Sequence, residues 1–195
     1  MAYGQRGLTA SRSLSGGDPV LITLPVFIDA KMAYFIGDPV ELRAGGWAAL
    51  VTAAVETAPL GVVQSVYGID ADGNPKPLTF NQPNNGVYLS TGVTGFVKVN
   101  VTPSQLYVCQ IDVSASAGLV GKTVHVSAGA PNTRAGISGY NLAGATIGVS
   151  SNKPFQIVGI APNELIAGRG DKAAGSAVEV RCNGTIFSHA QRAGI

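Results

Sequence analysis

Charged side chains are scarce in this sequence: they make up 12% of its 195 residues, about half of the share usual in a globular domain. Thirteen Lys and Arg against eleven Asp and Glu leave a net charge of +2. That is too little to imply nucleic acid, and no basic patch interleaves with aromatic residues to stack single strands. Disorder is excluded as well, because it goes with low hydrophobicity and high net charge, and 46% of these residues are hydrophobic. No apolar run reaches the roughly eighteen residues of a membrane helix. The first residues, Met1-Ala-Tyr-Gly-Gln-Arg6, lead into Ser and Gly and not into an apolar segment. No signal peptide is read there, and folding in a cytoplasm is expected. On that reading the sequons at Asn100-Val-Thr102 and Asn183-Gly-Thr185 are chance matches. With charge so sparse, Ser, Thr, Asn, Gly and aliphatic side chains form much of the surface, which suits lasting contact with other subunits.

Histidine and cysteine are rarer still, two of each. A nucleophilic site needs Ser or Cys beside a His that an acid orients. His125 alternates with valines in Thr-Val-His-Val-Ser, a strand surface position, and His189 lies near the C-terminus. No Gly-x-Ser-x-Gly elbow occurs, and metal spacing fails for want of a Cys-x-x-Cys or a helical His pair. Cys109 and Cys182 each sit in an alternating segment; half-buried free thiols are the default, with a disulfide left open. Three lookalikes are set aside. Ser116 to Thr123 imitates a phosphate loop, but Ser116 replaces the first Gly and strand-like Val124-His-Val follows where a helix must start. Asp70-Ala-Asp72-Gly-Asn74 imitates the start of a calcium loop, yet Pro75 stands where Gly is needed and Asn81 where the bidentate Glu belongs. A hairpin turn is the better reading, and whether Asp70 and Asp72 bind calcium is left open. Arg169-Gly-Asp171 is a three-residue match of the kind that Gly-rich loops produce by chance. No enzyme, cofactor or metal site is expected.

What is present is period-two patterning. Strands are predicted at Val20–Ile28, Pro39–Arg43, Leu60–Tyr67, Thr94–Val101, Leu106–Val113, Thr123–Ser127, Phe155–Ile160 and Val178–Cys182. Turn residues fill the gaps, at Asp72-Gly-Asn-Pro75, Asn84-Asn-Gly86, Asn132 and Gly144. The Ala-rich stretch Trp47 to Thr57 could form a short helix, but Gly45-Gly46 before it and Pro59 after it leave little room, and Trp47 reads as packed. Residues 130–153 read as a Gly/Asn/Ser-rich excursion and 161–176 as another long loop. Gly17-Asp-Pro-Val20 recurs as Gly37-Asp-Pro-Val40. A longer echo sets Gly37 to Gly45, Leu60-Gly-Val-Val and Phe96 to Asn100 against Gly121 to Gly129, Ile157-Val-Gly-Ile and Val178 to Asn183. Its glycines suggest a bulge or tight bend in the central strand, as a small closed barrel needs. The blander reading is that any β-barrel yields such echoes.

The expected fold is all-β, a small β-barrel or β-sandwich with an extended N-terminal arm and long Gly/Asn-rich loops. Residues 1–18 are taken as the arm and 19–190 as a single β domain. In the arm, Tyr3, Leu8 and Leu14 are apolar anchors and Arg6 and Arg12 stand without an acid before Asp18. These five are the candidate interaction residues, placed to lie across a neighbouring subunit and to serve assembly, not folding.

Gly37-Asp-Pro-Val, Ala58-Pro-Leu-Gly-Val-Val, Gly121-Lys-Thr-Val-His-Val-Ser-Ala-Gly, Ile157-Val-Gly-Ile-Ala and Val178-Glu-Val-Arg-Cys together resemble the small β-barrel decoration, or cement, proteins of tailed bacteriophages. The likeness spans about residues 36 to 183. It implies a structural virion protein on the outside of an icosahedral capsid, made in the host cytoplasm. Its implied partners are the phage major capsid protein and itself, as a homo-oligomer with a trimer favoured over a dimer; from the composition, neither nucleic acid nor membrane is expected as a partner. It brings no catalytic residues. The alternatives are another virion component, such as a head fibre base, a tail protein or a minor capsid protein, and then a carbohydrate-binding β-sandwich.

Overall fold

The computed structural model describes residues 7–27, 32–52, 58–78, 87–149, 153–161 and 176–183. The chain is all-β, as its alternation predicts, and the only helix among the described residues is a single 3-10 turn, Ala117–Leu119. In order, the strands are β1 (Thr9–Ser13), β2 (Leu21–Pro25), β3 (Tyr34–Phe35), β4 (Pro39–Arg43), β5 (Trp47–Leu50), β6 (Gly61–Ile69) and β7 (Pro75–Pro77). They continue as β8 (Tyr88–Leu89), β9 (Gly95–Asn100), β10 (Gln105–Gln110), β11 (Thr123–Ala128), β12 (Tyr140–Gly148), β13 (Phe155–Ile160) and β14 (Ala177–Cys182). Sheet one runs β2-β9-β6-β4-β5, with β7 on β6; sheet two runs β1-β10-β14-β13-β11-β12; β3 and β8 form a small ribbon. Every paired strand is antiparallel.

The echo in the sequence is a repeat in the structure. With β2, β4, β5, β6 and β9 set against β10, β11, β12, β13 and β14, both halves have one spatial order: first, fifth, fourth, second, third. Details repeat as well. A bulge interrupts β6 on β9 between Val63 and Ser65, and β13 on β14 between Ile157 and Gly159. Gly37 N–H donates to Val63 C=O at 2.9 Å and Gly121 N–H to Ile157 C=O at 2.8 Å. The reciprocal bonds run from Val63 N–H to Asp38 C=O and from Ile157 N–H to Lys122 C=O. Both glycines have φ near +90°, at 92° and 86°, the left-handed region where a Cβ is strained. That is why each half carries Gly two residues ahead of its second strand.

Each sheet curls until its ends touch at one parallel bridge, Val26 with Ala48 and Ile111 with Leu142. Neither goes on to close into a barrel with a continuous ladder. Inward side chains of sheet one, among them Val40, Val63, Val97 and Val99, form one core; Ile111, Val124, Phe155, Ile157 and Val180 form the other. A fully buried side chain of this size contributes roughly 1.5–3 kcal/mol. The cores meet: Val51 and Val62 from the first half pack into the second core, and the Tyr140 hydroxyl donates to the Val51 carbonyl at 2.8 Å. Among the described residues, β2 to β14 thus form two repeats of one topology with joined cores.

Three expectations are corrected. Trp47 does not open a helix: Trp47–Leu50 is β5, paired with β4 from Val40↔Leu50 to Arg43↔Trp47, because cross-strand partners override the helix propensity of alanine. The indole, read as packed, is 37% exposed. The excursion at 130–153 contains β12, whose Tyr140 and Leu142 point into the core. Its bulge against β11, between Thr123 and His125, breaks the alternation that would have betrayed it. The N-terminal arm is the third, since residues 9–13 are a strand of sheet two.

Candidate functional site

The candidate interaction residues do not act as one arm. Leu8 is 1% exposed and belongs to the core of sheet two, with its N–H donating to Gly37 C=O at 3.0 Å. β1 follows at once along β10. From its bulged end Arg12 reaches across β10 to β14, where Nη2 meets Glu179 Oε2 at 2.9 Å, and the Ser11 hydroxyl meets Oε1 at 3.3 Å. The acid that Arg12 lacks nearby in sequence is supplied by β14. Leu14, by contrast, is 55% exposed. Tyr3 and Arg6 lie outside the described residues.

Asp38, from the second Gly-Asp-Pro-Val, sits where the halves meet. Its Oδ2 accepts the Phe35 N–H at 2.8 Å, and the Ser138 side chain hydrogen-bonds it from the far half. Burial pushes this carboxyl up to about 7 despite those two bonds. A cleft of about 410 Å³ opens beside it, lined by Phe35, Tyr88, Leu50, Pro131 and Tyr140 among others. Phe35 and Tyr88 stack with centroids 4.6 Å apart. The cleft is a seam between repeats with a neutralisable acid at its base.

The surface features that invite a partner lie elsewhere. Val20 and Leu21 are 55% and 38% exposed at the start of β2. Leu14 N–H bonds to Ser104 C=O, and Val20 N–H to the Thr102 hydroxyl, so one loop anchors these exposed apolar side chains. Leu42 and Trp47 are exposed on the β4–β5 hairpin. Sequence reading missed Asp38, Glu179 and Lys98 as residues of interest. Asp38 and Glu179 take their partners from residues that only the tertiary fold brings near, Ser138 for the first and Arg12 and Ser11 for the second.

The lookalikes resolve into local structure. After the 3-10 turn comes β11, a strand where a phosphate loop needs a helix. Asp70 Oδ1 accepts the N–H groups of Asp72 and Asn74, 3.1 and 2.8 Å, and Lys76 Nζ lies 3.4 Å from Oδ2. The Asn74 N–H above all holds the Asp70 carboxyl below its ordinary range. His125 lies on a strand, β11, as expected, and is half-buried there, while His189, Asn81 and the 169–171 tripeptide fall outside the described residues. Cys109 and Cys182 are free and buried, and burial pushes both thiols up to about 12. No helix among the described residues is long and apolar enough to cross a membrane. Against known families, curated proteins and solved structures, the chain has no match.

Proposed function

We propose that this chain is a non-enzymatic virion protein that binds the outer surface of an icosahedral phage capsid and clamps neighbouring major capsid subunits. The observation that carries the reading is a set of exposed apolar side chains held on strands and a tight hairpin: Val20 and Leu21 along β2, Leu42 and Trp47 on β4 and β5. A preorganised surface of this kind loses little entropy on docking, and low charge suits broad permanent contacts better than steered, transient ones. Two repeats of one topology in one chain also suit a partner that itself repeats, as a shell does. The likeness to decoration proteins supports the same role, in a trimer before a dimer.

The test is add-back. Shells purified without this protein are mixed with it, sedimented and imaged by electron microscopy. Saturable binding at fixed exterior lattice positions, with raised resistance of the shells to heat, is the expected result. Failure to bind at tens of micromolar, or density on the inner wall, rejects the role.

A further inference from the structure

Among the described residues, sheet one lacks the edge strand that covers the first strand of the repeat in sheet two. In sheet two the outer edge of β10 is covered by β1, with Thr9 opposite Val108 and Ala10 opposite Tyr107. The counterpart of β10 is β2, and among the described residues no strand lies on its outer side. The match runs residue by residue through the fifth strands. Leu106 stands opposite Arg181 and Val108 opposite Glu179; Leu21 stands opposite Asn100 and Thr23 opposite Lys98.

Backbone alternation then decides which groups are free. Val20 C=O accepts from Val101 N–H and Val26 N–H donates to Gly95 C=O, at 2.9 and 3.1 Å. The even-numbered residues of β2 therefore face β9, and Leu21 and Thr23 turn their N–H and C=O groups outward. The next outward position is Pro25, which has no N–H and ends any further ladder. Its counterpart in sheet two, Gln110, has no partner on β1, so a strand placed as β1 is placed does not meet the proline.

Charge says what kind of strand fits. In sheet two the edge strand is held by Arg12 on Glu179. The position of Glu179 in sheet one belongs to Lys98, half-buried and in none of the ion pairs among the described residues. A second copy's β1 would bring Arg12 against Lys98, like against like. The complementary strand carries a carboxylate where β1 carries Arg12.

We infer that the open edge of β2 docks an extended acidic segment of a partner subunit, which adds to sheet one beside Val20–Thr23 and pairs its carboxylate with Lys98. That the partner is a shell subunit rests on the function proposed above; the edge, its register and its preference for acid do not.

Two measurements keep these apart. In the first, a strand-length peptide alternating Thr and Val around one Glu, and its twin with Lys in that place, are titrated into the isotope-labelled full chain. The Glu peptide is expected to shift the Leu21 and Thr23 amide resonances and to bind at least tenfold more tightly than the Lys peptide. Lys98→Glu is expected to reverse that order, and Thr23→Pro to abolish binding while leaving the melting temperature unchanged. No shift at those amides, or equal binding of both peptides, overturns the inference. In the second, hydrogen exchange is followed with the protein free and on shells. Leu21 and Thr23 amides should exchange freely in solution and slow on the shell. Binding without that protection overturns the edge and keeps the function. Absence of binding rejects the function, and the peptide titration then decides the edge alone. Protection that rises with protein concentration by itself puts a second copy on β2 and also overturns the inference.

Discussion

Two leucines six positions apart, Leu8 and Leu14, offer the sharpest check on where the fold begins. If both belonged to an arm, truncating either would leave stability alone. The structure separates them: Leu8 is buried beside Tyr107 and Ile111 in the core of sheet two, and Leu14 is largely in solvent. Leu8→Ala removes buried methyl groups and leaves a cavity in a packed site, a change that costs about 3 kcal/mol. For a chain of this size that corresponds to a fall in Tm of about 6–12 °C. Leu14→Ala removes a side chain that touches little and should stay within about 0.5 kcal/mol of the parent. Urea unfolding is the assay, with the midpoint moving and the slope unchanged in the first variant, since the surface exposed on unfolding hardly differs. Equal effects of the two substitutions would refute the assignment of residues 8–13 to the folded unit.

The remaining expectations follow from particular side chains. Arg12→Ala should destabilise more than Arg12→Ala made in a Glu179→Gln background, because the first leaves a buried carboxylate without its cation; a double-mutant cycle with no coupling would contradict the pair seen here. Asp38 has a folded value near 7 against an ordinary 3.8, so the folded state holds its proton more tightly than the unfolded chain. Its contribution is full below about pH 4 and is lost as pH rises through 7, at about 1.4 kcal/mol per unit of difference. The stability of Asp38→Asn relative to the parent should accordingly climb between pH 4 and 7 and level off above; a flat difference would show the carboxyl to be unperturbed. Both cysteines should resist a thiol reagent in the native protein at pH 8 and react on unfolding. Gly37→Ala and Gly121→Ala should cost similar amounts, on the order of 1–2 kcal/mol, and unequal costs would weaken the equivalence of the two repeats.

Much of sheet one and sheet two was legible in the sequence wherever apolar and polar side chains alternate along a strand. β9 and β14 read directly, since Val97 and Val99, or Val178 and Val180, alternate with polar residues and all four are buried. The repeat was legible for the same reason: strand, glycine turn and bulge carry local signatures. β1 was not, because Thr-Ala-Ser-Arg-Ser has no apolar face and is a strand only through the free edge of β10. β12 was hidden by its glycines and its bulge, and β5 by its alanines. The clearest limit is the tetrapeptide that occurs twice. Gly17-Asp-Pro-Val20 and Gly37-Asp-Pro-Val40 are identical, yet Asp18 is exposed and Asp38 buried. Local sequence sets the turn and the proline that opens or precedes a strand. Burial of the second carboxyl is decided by Ser138 and Tyr140, which approach from the other repeat. The sum over non-local neighbours fixes solvation, and with it the proton affinity of an aspartate and the fate of a leucine, and a short stretch of chain carries no record of those neighbours.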